Sequence, residues 1–335
     1  FSLGPVGQQL ERKGQVVLYG PPGTGKTYHA LKVAESLVAQ ARGTKWAELS
    51  PEERAAMKGE GEPGEQRIWV CSFHPAYGYE DFVEGLKPSV TDAGALAFVH
   101  RPGVFRRLCE QAARLPDERF VLVIDEFNRG DAPRIFGELL TLLELDKRGR
   151  VRVELPLSGD RFTVPRNVRI LATMNTADRS ISLLDAAMRR RFAFVEYLPE
   201  PSVLDDQIID GLYLPALLDI LNERLLATLG QQARNLQIGH AYLMAESRPL
   251  ATVPGLRSAV RYDIFPLLEE YCSDNPEALG ELLGNDLYDA GAARFRDELM
   301  ATGREADFLD ILMSWAPERL GRETGEALEV DVDDT

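Results

Sequence analysis

Cysteine and histidine are scarce in this chain: 335 residues carry three of the first and four of the second. Cys71, Cys109 and Cys272 stand alone with no C-x-x-C spacing. They read as buried apolar thiols of a protein kept in a reducing cytoplasm, not as disulfide partners or metal ligands. No His, Cys and Asp cluster has the spacing of a transition-metal site. Long apolar runs are missing too, so no transmembrane helix is expected and a membrane is not among the expected partners. Basic residues are in the minority, 38 against 53 acidic ones, for a net charge of −15. That excludes nucleic-acid binding over the whole surface and confines any DNA contact to a local patch or to another domain. No repeat or low-complexity tract occurs. No PD-(D/E)xK-like nuclease motif occurs either, so the chain is not expected to cut DNA itself. It opens at Phe1 without a methionine or a signal-peptide pattern, which reads as a fragment of a longer protein. The acidic end from Gly325 to Thr335 reads as a solvated tail.

What is present is an ordinary globular composition, 44% hydrophobic and 27% charged, with ample length for a core. Four apolar β-type runs occur: Val16–Tyr19, Arg67–Phe73, Phe120–Glu126 and Asn167–Asn175. Helical patterns separate them, the first carrying Ala30, Leu31, Ala34, Leu37 and Val38 at helical spacing. Strands alternating with helices predict a parallel α/β sheet. Gly43–Gln66 is polar and glycine-rich toward its end, a surface excursion. Between Lys147 and Arg169 the segment "RVRVELPLSGDRFTVP" alternates and turns at Ser158–Asp160, which predicts a β-hairpin inserted before the fourth strand. After about Pro201 the β signal fades into amphipathic helices. The expected domains are therefore 1–200, a large α/β domain, and 201–335, a smaller helical one that ends in the acidic tail.

"GPPGTGKT" (Gly20, Pro21, Pro22, Gly23, Thr24, Gly25, Lys26, Thr27) fits G-x-x-x-x-G-K-(S/T) at every position, between a strand and a helix. The glycines let backbone N–H groups wrap a polyphosphate, and the helix N-terminus adds its dipole. Lys26 is expected to bridge the β- and γ-phosphates, and the Thr27 hydroxyl to ligate Mg²⁺. Asp125 ends the third strand and is placed to hold Mg²⁺ directly or through water. Glu126 follows and can polarise a water against the γ-phosphate, the mark of a nucleoside triphosphatase. Asn175 ends the fourth strand and can orient that water between itself and Glu126. Asp178 either joins the same network or caps a helix starting near Ser180; the residues alone favour neither.

The stretch "MNTADRSISLLDAAMRRRF" (Met174–Phe192) ends in three arginines. Phosphoryl transfer spreads negative charge over the γ-oxygens, and an arginine supplied from outside stabilises it. Arg189–Arg191 fall on the flank away from their own P-loop. The favoured reading gives Arg190 or Arg191 to the nucleotide of an adjacent protomer in a ring; the alternative is that the triplet only neutralises the helix C-terminus and local acids. Lys147, Arg148, Arg150, Arg152 and Arg161 form a basic cluster around the hairpin, read as either a pore-facing contact or a solvated surface. His74, Tyr77, Tyr79 and His240 read as packing residues, and His29 and His100 have no partner visible in the sequence.

Five segments together resemble a known family: "GPPGTGKT", "SFHPAYGYEDFVEGLKP", "VLVIDEFNRGDAPRIFGELLTLLELDKR", "MNTADRSISLLDAAMRRRF" and "QIGHAYLM" look like the AAA+ module of McrB-type motors from modification-dependent (5-methylcytosine) restriction systems. The resemblance runs from about Gly14 to Tyr271, with Phe127 a departure where isoleucine is expected. It implies an AAA+ P-loop fold with a helical lid. It also implies hexameric rings with nucleotide between protomers, GTP preferred over ATP, and hydrolysis stimulated by an McrC-like nuclease subunit. Asn175 and Asp178 would both act in hydrolysis, Arg190 and Arg191 in trans, with Arg129 a further interface candidate and the Lys147–Pro165 hairpin facing the ring interior. DNA is reached in that family through the partner or an N-terminal reader domain, which is not expected on this chain. Two other classes remain open: a nucleotide-gated scaffold whose hydrolysis is incidental, and a MoxR-type remodelling chaperone. No motif in the residues announces a choice of base.

Overall fold

The computed structural model describes residues 4–90, 94, 96–177, 186–273 and 275–321. Asp178, the expected helix start at Ser180 and the acidic tail lie outside them. The chain divides into two compact units: residues up to Gly20 with Lys26–Tyr197, and Pro21–Gly25 with Leu198 onward.

In the first unit, helix α1 (Gly4–Lys13) leads into strand β1 (Gln15–Gly20), and helix α2 (Lys26–Ala41) follows. Strand β2 (Ile68–Ser72) precedes a ribbon of β3 (Glu84–Val90) and β4 (Leu96–Pro102), then helix α3 (Val104–Arg114) and β5 (Phe120–Asp125). A short hairpin of β6 (Val153–Glu154) and β7 (Arg161–Phe162) precedes β8 (Val168–Asn175), α4 (Ala186–Arg191) and β9 (Ala193–Glu196). The sheet is parallel, in the order β2-β5-β8-β1-β9. The four expected strands are its first four members; β9 is a fifth that the pattern did not announce.

Both faces of the sheet are buried, which is why its strands are nearly continuous apolar runs. Leu122, Ile124, Ile170 and Ala172 face a cluster of phenylalanines, while Val121, Val123 and Leu171 face α1 and α2. In the phenylalanine cluster the Phe82 and Phe136 ring centroids are 4.8 Å apart, and those of Phe127 and Phe192 5.1 Å. Phe127 also stacks on Phe73, so the aromatic ring in place of isoleucine is taken up by an aromatic neighbourhood.

Two hairpins leave this core. The expected one is reduced to two residue pairs, Val153 with Phe162 and Glu154 with Arg161. The β3–β4 ribbon was not expected, because its alternation places Leu86, Val90, Leu96 and Phe98 on an exposed face. Glu84 ties the two together. Its Oε1 accepts the Leu157 and Ser158 N–H groups at 2.9 and 3.1 Å, and its Oε2 meets His100 Nε2 at 2.9 Å and Arg106 at 2.5 Å. Arg106 reaches on to Glu110 and Asp160. His100 therefore has a partner after all, brought from sixteen residues away.

The basic cluster needs correction at Arg148, which is fully buried. Its guanidinium donates to the Leu143 carbonyl at 3.0 Å, the Val168 carbonyl at 2.6 Å and Gln15 Oε1 at 2.6 Å. It joins β8 and the start of β1 and presents no charge to solvent. Lys147 is held by Glu144 at 2.8 Å; Arg150, Arg152 and Arg161 are exposed.

In the second unit, helix α5 (Leu214–Leu229) is followed by α6 (Val253–Ser258), α7 (Phe265–Tyr271), α8 (Pro276–Leu283) and α9 (Glu305–Met313), with one two-stranded ribbon before α5 and two between the later helices. The sequence pattern suggested helix from Ser202 onward. Instead α5 begins at Leu214, with Pro215 in its first turn, where a missing N–H costs nothing. No helix among the described residues is long and apolar enough to cross a membrane.

Candidate functional site

The C-terminal ends of β1, β5 and β8 converge. β8 pairs with β1 so that Asn175 lies opposite Gly20, and the Thr176 N–H donates to the Gly20 carbonyl at 3.0 Å. β5 lies on the other side of β8, with Ile124 opposite Ala172. This register brings Asp125, Glu126 and Asn175 to the edge from which the glycine loop departs.

The loop carries the shape its residues predict. Gly23 and Gly25 adopt φ of +73° and +72°, a region open to glycine and costly for side chains. Thr24 Oγ1 donates to the Pro21 carbonyl at 3.0 Å, closing the turn. Lys26, at the first position of α2, is buried and donates to the Gly20 carbonyl at 3.1 Å.

Thr27 Oγ1 donates to Asp125 Oδ1 at 2.8 Å, and the Thr173 hydroxyl donates to the same oxygen. Mg²⁺ prefers octahedral oxygen ligands at about 2.1 Å, which sets neighbouring ligand oxygens about 3 Å apart. The Thr27–Asp125 pair meets that spacing, and one carboxylate with one hydroxyl is the sparse protein donor set that suits a nucleotide-bound Mg²⁺.

Glu126 sits immediately after β5 with φ +54° and ψ +43°. A left-handed conformation costs a non-glycine residue about 1–2 kcal/mol. Asn175 Nδ2 donates to Glu126 Oε1 at 3.1 Å. Arg129 Nε lies 3.2 Å from Glu126 Oε2. Asn128, buried, donates through Nδ2 to the Asn175 carbonyl at 3.0 Å and so fixes the strand end that carries Asn175. The motif segment contained Asn128, but nothing in its spacing marked it as a support.

Arg190 and Arg191 close α4. Their side chains turn to Glu144, at 3.3 and 3.6 Å, and Arg191 also donates to the Ala187 carbonyl at 3.2 Å. Glu144 is held below the usual carboxylate range, first by its hydrogen bond from Lys147 and then by these two arginines. The carbonyls at the helix end are met by other groups: Lys13 Nζ reaches the Arg190 carbonyl at 2.6 Å, and Gln15 Nε2 the Arg191 carbonyl at 2.6 Å. Arg190 is three-quarters exposed. Both side chains thus meet a local acid of their own chain, and Arg191 also meets a carbonyl of its own helix.

Of the residues after β2, Tyr77 and Tyr79 are half-buried, while His74 is exposed. Tyr77 stacks on Phe73 with centroids 5.2 Å apart, His74 lies edge-on to Tyr77, and the Tyr79 hydroxyl donates to Glu138 at 2.6 Å. His29 lies against Tyr197.

Residues 15–192 match the family described as AAA domain (dynein-related subfamily), and residues 213–280 match McrB, alpha-helical lid domain. Over 286 residues the chain is 33% identical to the type IV methyl-directed restriction enzyme EcoKMcrB subunit of Escherichia coli (strain K12), covering 80% of this chain and 56% of that protein. Over 148 residues it is 30% identical to the type II restriction enzyme BsuMI component YdiS of Bacillus subtilis (strain 168), covering 40% of this chain and 39% of that protein. The chain spans little more than half of the first relative and less than half of the second.

Proposed function

We propose, for a chain that belongs to the AAA domains of the dynein-related subfamily and carries an McrB-type helical lid, a ring-forming motor that hydrolyses nucleoside triphosphate, GTP in preference to ATP, to drive a partner nuclease in modification-dependent DNA restriction. The observation that carries the hydrolytic part is the Asn175–Glu126 hydrogen bond beside the Thr27–Asp125 pair. A carboxylate in cis, held by an amide at the edge of a phosphate loop, is what activation of water requires.

In this reading the Gly20–Thr27 backbone and the Lys26 ammonium hold the β- and γ-phosphates. Thr27 and Asp125 hold Mg²⁺, which supplies charge neutralisation at the phosphates when bound. Glu126 accepts the proton of the attacking water, and Asn175 orients that water, with Asp178 as a second member of the same network. Arg190 and Arg191 serve the adjacent protomer's nucleotide, and Arg129 lies at the same interface. Six protomers close the ring, the nuclease is an McrC-like subunit, and DNA is reached through that partner or through a separate reader domain. The motor works in the cytoplasm. The names of the two relatives support the restriction setting, since both are components of restriction enzymes.

Steady-state hydrolysis of GTP and ATP, side by side at matched concentration with Mg²⁺, tests this. Lys26→Ala is expected to abolish nucleotide binding, and Glu126→Gln to keep binding and stop turnover. Normal turnover by Glu126→Gln would overturn the assigned mechanism. An ATP preference would keep the hydrolase and remove the GTP assignment.

A further inference from the structure

His240 is read from sequence as a structural histidine, and its geometry says more. It is 7% exposed, at the start of a turn that packs against the glycine loop. The Ala241 N–H donates to the Gly23 carbonyl at 2.9 Å, which pins this turn to the loop. The Glu200 N–H donates to His240 Nδ1 at 3.3 Å. Accepting at Nδ1 leaves the ring proton of the neutral imidazole on Nε2. Burial holds the imidazole below its usual pKa, against a smaller opposing pull from Glu200, so the neutral form prevails.

Nε2 has no hydrogen-bond partner among the described residues. It lies 3.3 Å from the point a β-carbon on Gly25 would occupy. Gly25 is the last residue before Lys26, so its backbone is part of the phosphate cradle. The ring proton on Nε2 faces the loop without an acceptor. A phosphate oxygen seated on the loop would supply that acceptor.

We propose that His240 is a nucleotide-binding residue, its Nε2–H donating to an oxygen of the triphosphate chain held by the glycine loop. This rests on the nucleotide-hydrolase reading above. It adds a side-chain phosphate donor to the Pro21–Gly25 backbone within the second unit. The contact is to the phosphates, so it does not distinguish one base from another.

The experiment is equilibrium binding of mant-GTP and mant-ATP, with Mg²⁺, to the whole chain and to three variants, alongside thermal melts. A hydrogen bond to a charged group corresponds to about ten- to a hundredfold in affinity. His240→Ala and His240→Asn are expected to lose about tenfold or more for both nucleotides; asparagine replaces the Nδ1 acceptor for Glu200 but cannot reach Gly25. His240→Gln, which carries an N–H near the Nε2 position, is expected to stay within about threefold of the original chain. Affinity restored by Asn and not by Gln would show that only the Glu200 contact matters, and would overturn the proposal. So would wild-type affinity in His240→Ala, or a loss confined to one of the two bases. If His240→Ala does not fold, the Asn and Gln pair still decides. If the original chain binds no better than Lys26→Ala, the failure belongs to the nucleotide-hydrolase reading and takes this proposal with it.

Discussion

Asn175 and Glu126 face each other across 3.1 Å from the ends of two adjacent strands, the one held by Asn128 and the other carried on a left-handed backbone. Neither side chain reaches that position by its own local preference. The pairing is made by the β5–β8 register, and its use is to fix a carboxylate relative to the loop that follows β1. Asn175→Ala is therefore expected to lower kcat by about a hundredfold, within the usual range for a general-base assembly, and to change nucleotide affinity by less than about threefold. Parallel turnover and mant-nucleotide titrations separate the two; an equal loss in both would make Asn175 a binding residue.

Arg190 and Arg191 turn to Glu144 within their own chain, which leaves the trans role open to a subunit-mixing test. Arg191→Ala and Glu126→Gln are each expected to be nearly inactive alone. In a ring assembled from equal amounts, a site works only where an intact Glu126 meets an intact Arg191 from its neighbour, so about a quarter of the original activity should return. Activity that stays at the level of the separate variants at every mixing ratio would remove the trans arginine from the mechanism.

Glu84 gives a pH prediction. Burial alone would raise its carboxyl, but hydrogen bonds from Ser158, Leu157 and His100 outweigh burial and hold it at about 2. A carboxylate with a depressed folded pKa stabilises above its unfolded pKa of about 4.3, and that contribution is lost as pH falls toward the folded value. Glu84→Gln is expected to cost about 3 kcal/mol at pH 7, because a buried carboxylate with a depressed pKa is lost and the partly buried Arg106 guanidinium loses one of its charged partners. Urea midpoints for both proteins should converge as pH is lowered from about 4 toward 2. A constant gap across that window would mean the carboxylate charge is not what stabilises the joint.

Arg148 is a buried cation facing two carbonyls and an amide, with no carboxylate in its bonding. Burial pushes its pKa down to about 9, so it stays charged at neutral pH. Arg148→Ala strands three acceptors and opens a cavity, and is expected to cost about 3–5 kcal/mol. Arg150→Ala, on the exposed part of the same basic run, is expected to stay within about 0.5 kcal/mol. Thermal or urea unfolding of the two variants checks the contrast.

The contrast between Arg148 and Arg150 also shows where the sequence was legible. The loop, Thr27, Asp125 and the four strands carry local signatures: fixed spacing, or runs apolar enough to be buried on both faces. Arg148 carries none. Its acceptors lie 5, 20 and 133 residues away, so it looks like its charged neighbours. β9 is only four residues long and follows directly on the arginines, too short for a periodicity to emerge. The β3–β4 ribbon turns its apolar alternation outward, which removes the burial that makes alternation informative. His240 was passed over because a lone histidine says nothing until its Nδ1 partner fixes which nitrogen carries the proton.

Gln15 holds both ends of its amide in use, Nε2 on the Arg191 carbonyl and Oε1 on the Arg148 guanidinium, each at 2.6 Å. The amide cannot rotate without breaking both bonds, so it acts as a pin. It sits at one end of β1; Gly20, where the loop begins, is the other end, about 17 Å along a strand. β1 is paired on both sides, with β8 and with β9. The arginine-bearing helix end and the start of the chain's own phosphate loop are thus tied to the two ends of one strand.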